Sequence, residues 1–267
     1  MSDELLNLKD VKKYFGLRGV PWQKAQAVRA VDGVSLVVRK GETVGLVGES
    51  GSGKSTLARV ATRLLDPTQG RVEIGGKDVT KVRGRRLRPI RRRIQMVFQD
   101  PFASLNPRRK VGNIITDGPI AHGTEPAAAR VRAHELLSLV GLNASAMERY
   151  PHEFSGGQRQ RIGIARALAL DPEILVADEA VSALDVSVQA QVLNLLEDLK
   201  TRLGLSMLFI THDLRVAAQI CDRIAVMQRG SIVELRPAAA LFSAPEHPYT
   251  RELLAAVPGQ ISSSKAA

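Results

Sequence analysis

The chain has a single cysteine, Cys221, among 267 residues. That excludes an intrachain disulfide and any C-x-x-C metal site, and it fits a reducing compartment. Aromatic residues make up 4% of a chain that is 44% apolar, so the core must be built mainly from aliphatic side chains. No apolar run approaches the ~18 residues that a membrane-spanning helix needs. The first residues, Met1 to Asn7, are polar and acidic, unlike a secretory signal. A soluble, cytoplasmic chain is therefore expected. Acidic side chains are in deficit, 27 against 38 Lys and Arg, for a net charge of +11. Much of the excess lies in one run that contains no acid: Lys81, Arg83, Arg85, Arg86, Arg88, Arg91, Arg92 and Arg93. An anionic membrane or an acidic partner would suit such a run. Nucleic acid suits it less, because no aromatic side chain is interleaved to stack on bases. The plainest reading is a solvated basic face.

What the chain does contain is a glycine-rich stretch from Leu46 to Thr56. Gly48, four residues and then Gly53, Lys54 and Ser55 have the spacing of a phosphate-binding loop. Phosphate oxygens must be wrapped by backbone N–H groups, and Gly48, Gly51 and Gly53 permit the tight turns and close approach. Glu49, Ser50, Ser52 and Thr56 complete the loop. A helix starting near Lys54 would direct its unpaired N–H groups and positive dipole end at the phosphates. Lys54 can then reach the β- and γ-phosphates, and the Ser55 hydroxyl can sit on Mg²⁺. A glycine-serine surface turn shares this composition but not its context, a buried strand over Glu42–Val47 and a helix over Leu57–Leu65.

The remaining periodicities describe an α/β chain. Leu5–Lys9 and Val28–Arg39 read as β structure, separated by a loop over residues 16–24. Arg71–Ile74 is a short strand, Gly75-Gly76 a tight turn, and Ile94–Phe98 a strand ending at Gln99. From Asn106 to Leu170 the pattern turns helical, with helices over Ala127–Leu142 and Arg159–Leu170. Glu173–Asp178 and Leu205–Ile210 are buried strands. Val186–Arg202 and Asp213–Ile220 are helices. Arg223–Gln228 and Ser231–Leu235 form a strand pair around Arg229-Gly230. Alternating strands and helices predict a mostly parallel sheet covered on both faces. The helical middle predicts an inserted lobe. The expected division is a core from residues 1–100 and 171–245, a lobe from 101–170 and a tail from 246–267.

Other residues bear on the chemistry that a bound phosphate could undergo. The strand Ile174–Asp178 delivers Asp178 and Glu179 to its C-terminal edge, where ligands sit in open α/β sheets. One carboxylate can hold Mg²⁺ through water while its neighbour polarises an attacking water. Ser155, Gly156, Gly157 and Gln158 open a helix, with Ser155 as N-cap and the glycines leaving N–H groups free for an anion. Gln99 stands at a strand end. His212 comes after the core strand, where it can reach a γ-phosphate as a hydrogen-bond partner.

In this order and spacing, these residues resemble the ATP-binding subunits of ABC transporters over nearly the whole chain. The matching parts are Gly48–Thr56 (Walker A), Gln99 (Q-loop), Phe154–Arg161 (signature), Ile174–Glu179 (Walker B), Ser182–Asp185 (D-loop) and His212 (H-loop). The resemblance implies an α/β P-loop NTPase fold: a RecA-like mixed-sheet core, an antiparallel β subdomain and an inserted helical lobe. It implies that ATP and Mg²⁺ are bound, and that two cassettes pair head to tail. Ser155, Gly156, Gly157 and Gln158 would then complete the partner's site. Glu179 would activate water, with Lys54 and His212 at the γ-phosphate. Ser55, Gln99 and Asp178 would form the Mg²⁺ environment, and Asp185 would serve the D-loop. Phe15 best matches the adenine-stacking aromatic, with Tyr14 as the alternative. One departure is Ala180-Val181, where the family often has Pro-Thr. Neither residue removes a reacting group.

Met96–Pro107, His247–Pro258 and the run from Asp178 to Ser187 are similar to the oligopeptide and dipeptide importer ATPases, and in particular to their F-type chain. Nickel and other peptide-like uptake systems share these motifs. The subgroup implies a second ATPase subunit (a heterodimer, or else a homodimer), two integral membrane permeases and an extracytoplasmic solute-binding protein. The place of work would be the cytoplasmic face of the membrane, with no nucleic acid involved. A soluble ABC ATPase acting on ribosomes or DNA is the rival, but it typically fuses two motif sets or inserts a coiled coil. This chain has one motif set and no sustained heptads.

Overall fold

The strongly apolar segments lie side by side in one six-stranded sheet. The computed structural model describes residues 3–16, 28–100 and 102–256. Pro101, the tail beyond residue 256 and most of the loop expected over 16–24 lie outside these. The sheet centres on β3 (Thr43–Val47), β8 (Ser206–Thr211) and β7 (Ile174–Asp178), each buried along its whole length. β6 (Ile94–Val97) closes one side beside β7, and β9 (Arg223–Gln228) flanks β3 on the other. All of these pairings are parallel, and only β10 (Ser231–Pro237) runs antiparallel, against β9. A second sheet is wholly antiparallel. Its order is β2 (Val28–Arg39), β1 (Glu4–Phe15), β4 (Gln69–Ile74) and β5 (Lys77–Asp78).

Continuous apolar strands are what a parallel sheet covered on both faces requires. Successive residues of β8 show it: Leu208 and Ile210 belong to one core, with the antiparallel sheet and α1 (Lys54–Ala61), while Met207 and Phe209 belong to the other. Each fully buried Leu, Ile or Phe contributes about 1.5–3 kcal/mol relative to exposure. The second core continues into α3 (Val111–Ala121), α4 (Pro126–Leu139) and α5 (Gly156–Leu168), through Ile115, Leu136, Leu137 and Ile162. These three helices lie between β6 and β7 in the chain. α7 (Leu214–Ile220) joins the same core through Ala217 and Ile220.

Some boundaries differ from the sequence reading. β1 runs on to Phe15 instead of stopping at Lys9. Its polar second half pairs on both sides, Lys13 with Val31 and Lys12 with Gln69. The alternation is hidden by a register shift at Asp10, whose φ is +46°. The helix after the phosphate loop starts at Lys54 and stops at Ala61, so Leu64 and Leu65 lie beyond it. The chain turns at Arg63, φ +55°, whose buried guanidinium donates to the carbonyls of Val79, Thr80 and Val82.

The basic run is only partly a solvated face. It forms a 3-10 turn over Gly84–Leu87 and then α2 (Arg88–Arg93). Arg91 donates to Arg63 O at 2.9 Å and Arg92 to Leu170 O at 3.3 Å. Arg93 makes a bidentate pair with Glu173 at 2.6 and 2.7 Å. Arg85 and Arg86 are exposed. The three last arginines therefore tie this segment to the turn after α1, to Leu170 after α5 and to Glu173 just before β7.

Candidate active site

Parallel pairing fixes where the loop and its partners meet. Val47 lies opposite Thr211, and Asp178 opposite Ile210, so the C-terminal ends of β3, β7 and β8 share one sheet edge. The phosphate loop, Glu179 and His212 all leave from that edge. The loop's glycines are demanded by space as well as by conformation. Gly48, Gly51 and Gly53 have φ of +151°, +80° and +107°. A Cβ on Gly48 would stand 2.2 Å from Met227 O, and one on Gly53 2.1 Å from Ala30 O. Lys54 is buried, and its Nζ donates to Gly48 O and Glu49 O, both at 2.7 Å. Burial holds this ammonium below its ordinary pKa, while the carboxylates of Glu179, Asp178 and Glu49 pull it back up.

Across from the loop, Ser55 Oγ donates to Asp178 Oδ1 at 3.0 Å. Asp178 is buried, which pushes its pKa up against the lowering effect of the Ser55 hydrogen bond. Glu179 sits in the left-handed region, φ +47°, with its N–H donating to Ile210 O. This turn throws its carboxylate into the cleft. Gln99 Nε2 donates to Glu179 Oε2 at 2.8 Å, and His212 Nδ1 lies 3.4 Å from the same oxygen. A carboxylate so flanked is oriented, and 13% exposure of its side chain leaves it reachable from the cleft. Ala180 and Val181, which replace Pro-Thr, are buried behind it at 2% and 3% exposure.

These groups line a cleft of about 810 Å³, together with Glu49, Ser50, Gly51 and Thr56. Ser52 is buried beneath, 3.4 Å from Lys54 Nζ. Asp178 reaches the cleft through Ser55. The donor set suits a hard cation: a hydroxyl and a buried carboxylate side by side, with Gln99 and Glu179 close by. Motif reasoning missed other residues of the cleft wall, among them Val28 and Arg29 on β2, Arg229 in the β9–β10 turn, and Leu253 near the C-terminus. Only the fold brings them there, and no local pattern marks them.

The adenine-stacking candidates lie at the margin. Neither Phe15 nor Tyr14 is among the residues lining the cleft, although Phe15 pairs with Val28, which is. The Phe15 ring is exposed, with Lys13 Nζ 5.1 Å above it. The Tyr14 hydroxyl is engaged with Asp32, so Phe15 is the freer of the two. Ser155, Gly156, Gly157 and Gln158 do not line the cleft either. They form a capping box, with Ser155 Oγ accepting from Gln158 N and Gln158 Oε1 from Ser155 N. Asp185 caps α6 (Val186–Leu203), accepting from Val188 N at 2.9 Å. Gly157 meets α6 at Val188.

Comparison with known proteins gives the family. Residues 31–182 match the ABC transporter family. The oligopeptide transport ATP-binding protein AppF of Bacillus subtilis is 52% identical over 260 residues, 96% of this chain and 79% of its own. OppF, the oligopeptide transport ATP-binding protein of the same organism, is 52% identical over 262 residues, 97% of this chain and 84% of its own. Among solved structures, the dimeric post-hydrolysis state of the ATP-binding cassette MJ0796, bound to ADP and Pi, is similar at 31% identity. It superposes with a TM-score of 0.77 over 87% of this chain and 98% of that one. A phosphate loop at the edge of a mixed sheet, faced by an oriented glutamate, thus stands in a chain that belongs to the ABC transporter family, as one of its ATP-binding, ATP-hydrolysing cassettes.

Proposed function

We propose that this chain powers the uptake of oligopeptides or dipeptides, as an ATPase subunit of an ABC importer. One observation supports the solute class: the similarity to AppF and OppF, which holds over nearly the whole chain. The observation that carries the chemistry is Glu179 held between Gln99 and His212, across the cleft from Lys54. Lys54 leaves the Gly48 and Glu49 carbonyls for the β- and γ-phosphates. Glu179 orients and deprotonates the attacking water, and His212 donates to the γ-phosphate. Phe15 stacks on the adenine. Ser55, Asp178 and Gln99 would hold Mg²⁺, whose charge would offset that of the phosphates. The α5 N-terminus, from Ser155 to Gln158, serves the ATP of a second ATPase subunit, and Asp185 lies at that junction. This fits a signature that stands outside the chain's own cleft. Closure and reopening of the pair drives two membrane permeases, supplied by an external binding protein. Among the described residues no helix is long and apolar enough to cross a membrane, so attachment would run through those permeases.

The test is the ATPase rate of the complex reconstituted with its binding protein, against a panel of peptides and Ni²⁺ chelates. Stimulation by short peptides alone is expected. Stimulation by the chelates and not by peptides overturns the solute assignment.

A further inference from the structure

The C-terminal helix reaches back to the phosphate loop. α9 (Pro248–Ala255) comes after α8 (Ala238–Ser243), and its start is tied to β10. Buried Glu234 accepts from Glu246 N and His247 N, both at 3.0 Å. His247 Nδ1 caps the helix by accepting from Tyr249 N at 3.2 Å, and Pro248 at its first turn fixes the entry. Thr250 and Leu254 are buried at 0% and 4% exposure, so the helix has a defined seat. From it, the Tyr249 hydroxyl accepts the N–H of Glu49 at 3.2 Å, across 200 residues of chain. One turn further on, Leu253 lines the cleft.

The consequence lies in one peptide group. The N–H of Glu49 and the C=O of Gly48 belong to the same peptide unit. Its N–H is held by Tyr249, and its C=O by Lys54 Nζ at 2.7 Å. On the reading of this loop as the ATP site, the phosphates would draw Lys54, while the phenol has no charge to answer theirs and would keep the Glu49 N–H. Gly48 has no side chain to restrain the unit, and its φ of +151° is open to few other residues. We infer that Tyr249 is a positioning residue of the phosphate loop, holding the Gly48–Glu49 peptide in its binding orientation once ATP has taken Lys54. The tail helix is therefore part of the nucleotide site. The inference rests on the reading of this loop as the ATP site.

The test is Tyr249→Phe in the full chain, which keeps the buried ring and removes the single hydroxyl. Three quantities are compared with the parent: the Kd for a fluorescent ATP analogue, the thermal midpoint without nucleotide, and KM against kcat in the assembled transporter. One lost hydrogen bond predicts a Kd and KM raised about three- to tenfold, with kcat within about twofold. The midpoint without nucleotide should hold within about 4 °C. Unchanged Kd and KM overturn the inference. So does a loss of affinity that Leu254→Ala, which loosens the helix seat while keeping the hydroxyl, reproduces at an equal loss of midpoint. Lys54→Ala separates the premise from the inference: if that variant binds the analogue as the parent does, the loop is not the ATP site.

Discussion

Substituting Gly157 by Ala tests how closely the signature helix is fitted to the helix behind it. A Cβ at Gly157 would lie 2.3 Å from Val188 Cγ1 and 3.6 Å from Val188 Cβ. Ordinary carbon contacts are about 3.5–4.0 Å, so the methyl cannot be added with both neighbours in place. Two responses are open. Val188 turns off its preferred rotamer, at about 0.5–1.5 kcal/mol, which a β-branched residue resists. Otherwise α5 and α6 separate, at about 1–3 kcal/mol for an overpacked contact. Against this, Ala gains up to about 1 kcal/mol of helix propensity over Gly. The net expectation therefore runs from near zero to about 2 kcal/mol of destabilisation, or a midpoint lower by up to roughly 8 °C. Val188→Ala removes the colliding methyls. In that background Gly157→Ala should be neutral or stabilising; the propensity gain cancels in a double-mutant cycle on the isolated chain, which should give the contact cost alone as a coupling of about 0.5–3 kcal/mol. Thermal unfolding without nucleotide or partner reads this contact alone, apart from any role of Gly157 towards a second subunit. Equal effects of Gly157→Ala with and without Val188 would falsify the packing argument.

Three further outcomes are expected. Lys54→Ala should weaken ATP binding at least about tenfold, since contacts to charged groups are the strong ones; near-normal affinity and turnover in the assembled complex would refute its role. Glu179→Gln should leave ATP binding intact and lower turnover about 10²–10⁴-fold, accumulating the closed dimer; hydrolysis at the parental rate would end the water-activating assignment. In the basic run, Arg93→Ala should cost about 1 kcal/mol or less, because its pair with Glu173 is part-exposed. Arg85→Glu with Arg86→Glu should change neither stability nor assembly with the permeases, and a loss of co-purification would show instead that this face is an interface.

The sequence by itself determined the chemistry and most of the elements that carry it. Gly48 to Ser55 points to phosphate because glycines that free backbone N–H groups, with a lysine at that spacing, suit its oxygens. β3, β7 and β8 were legible because a strand buried on both faces has to be apolar throughout, and Val186–Leu203 because its apolar residues keep a helical period. Polar and basic segments were harder to read, since their structure comes from pairing. Asp10 to Phe15 became strand by pairing with β2 and, as far as Lys12, with β4. Arg91 to Arg93 found partners in the fold, though Arg91 and Arg92 stay exposed, because carbonyls of Arg63 and Leu170 and the Glu173 carboxylate lay within reach. The tertiary structure alone decided what meets across the sheet edge. It set Glu179 between Gln99 and His212, and kept Ser155 to Gln158 out of the chain's own cleft. It also brought Tyr249 to Glu49, a contact no local pattern can encode, because hydrogen bonds across 200 residues depend on how every intervening element is packed.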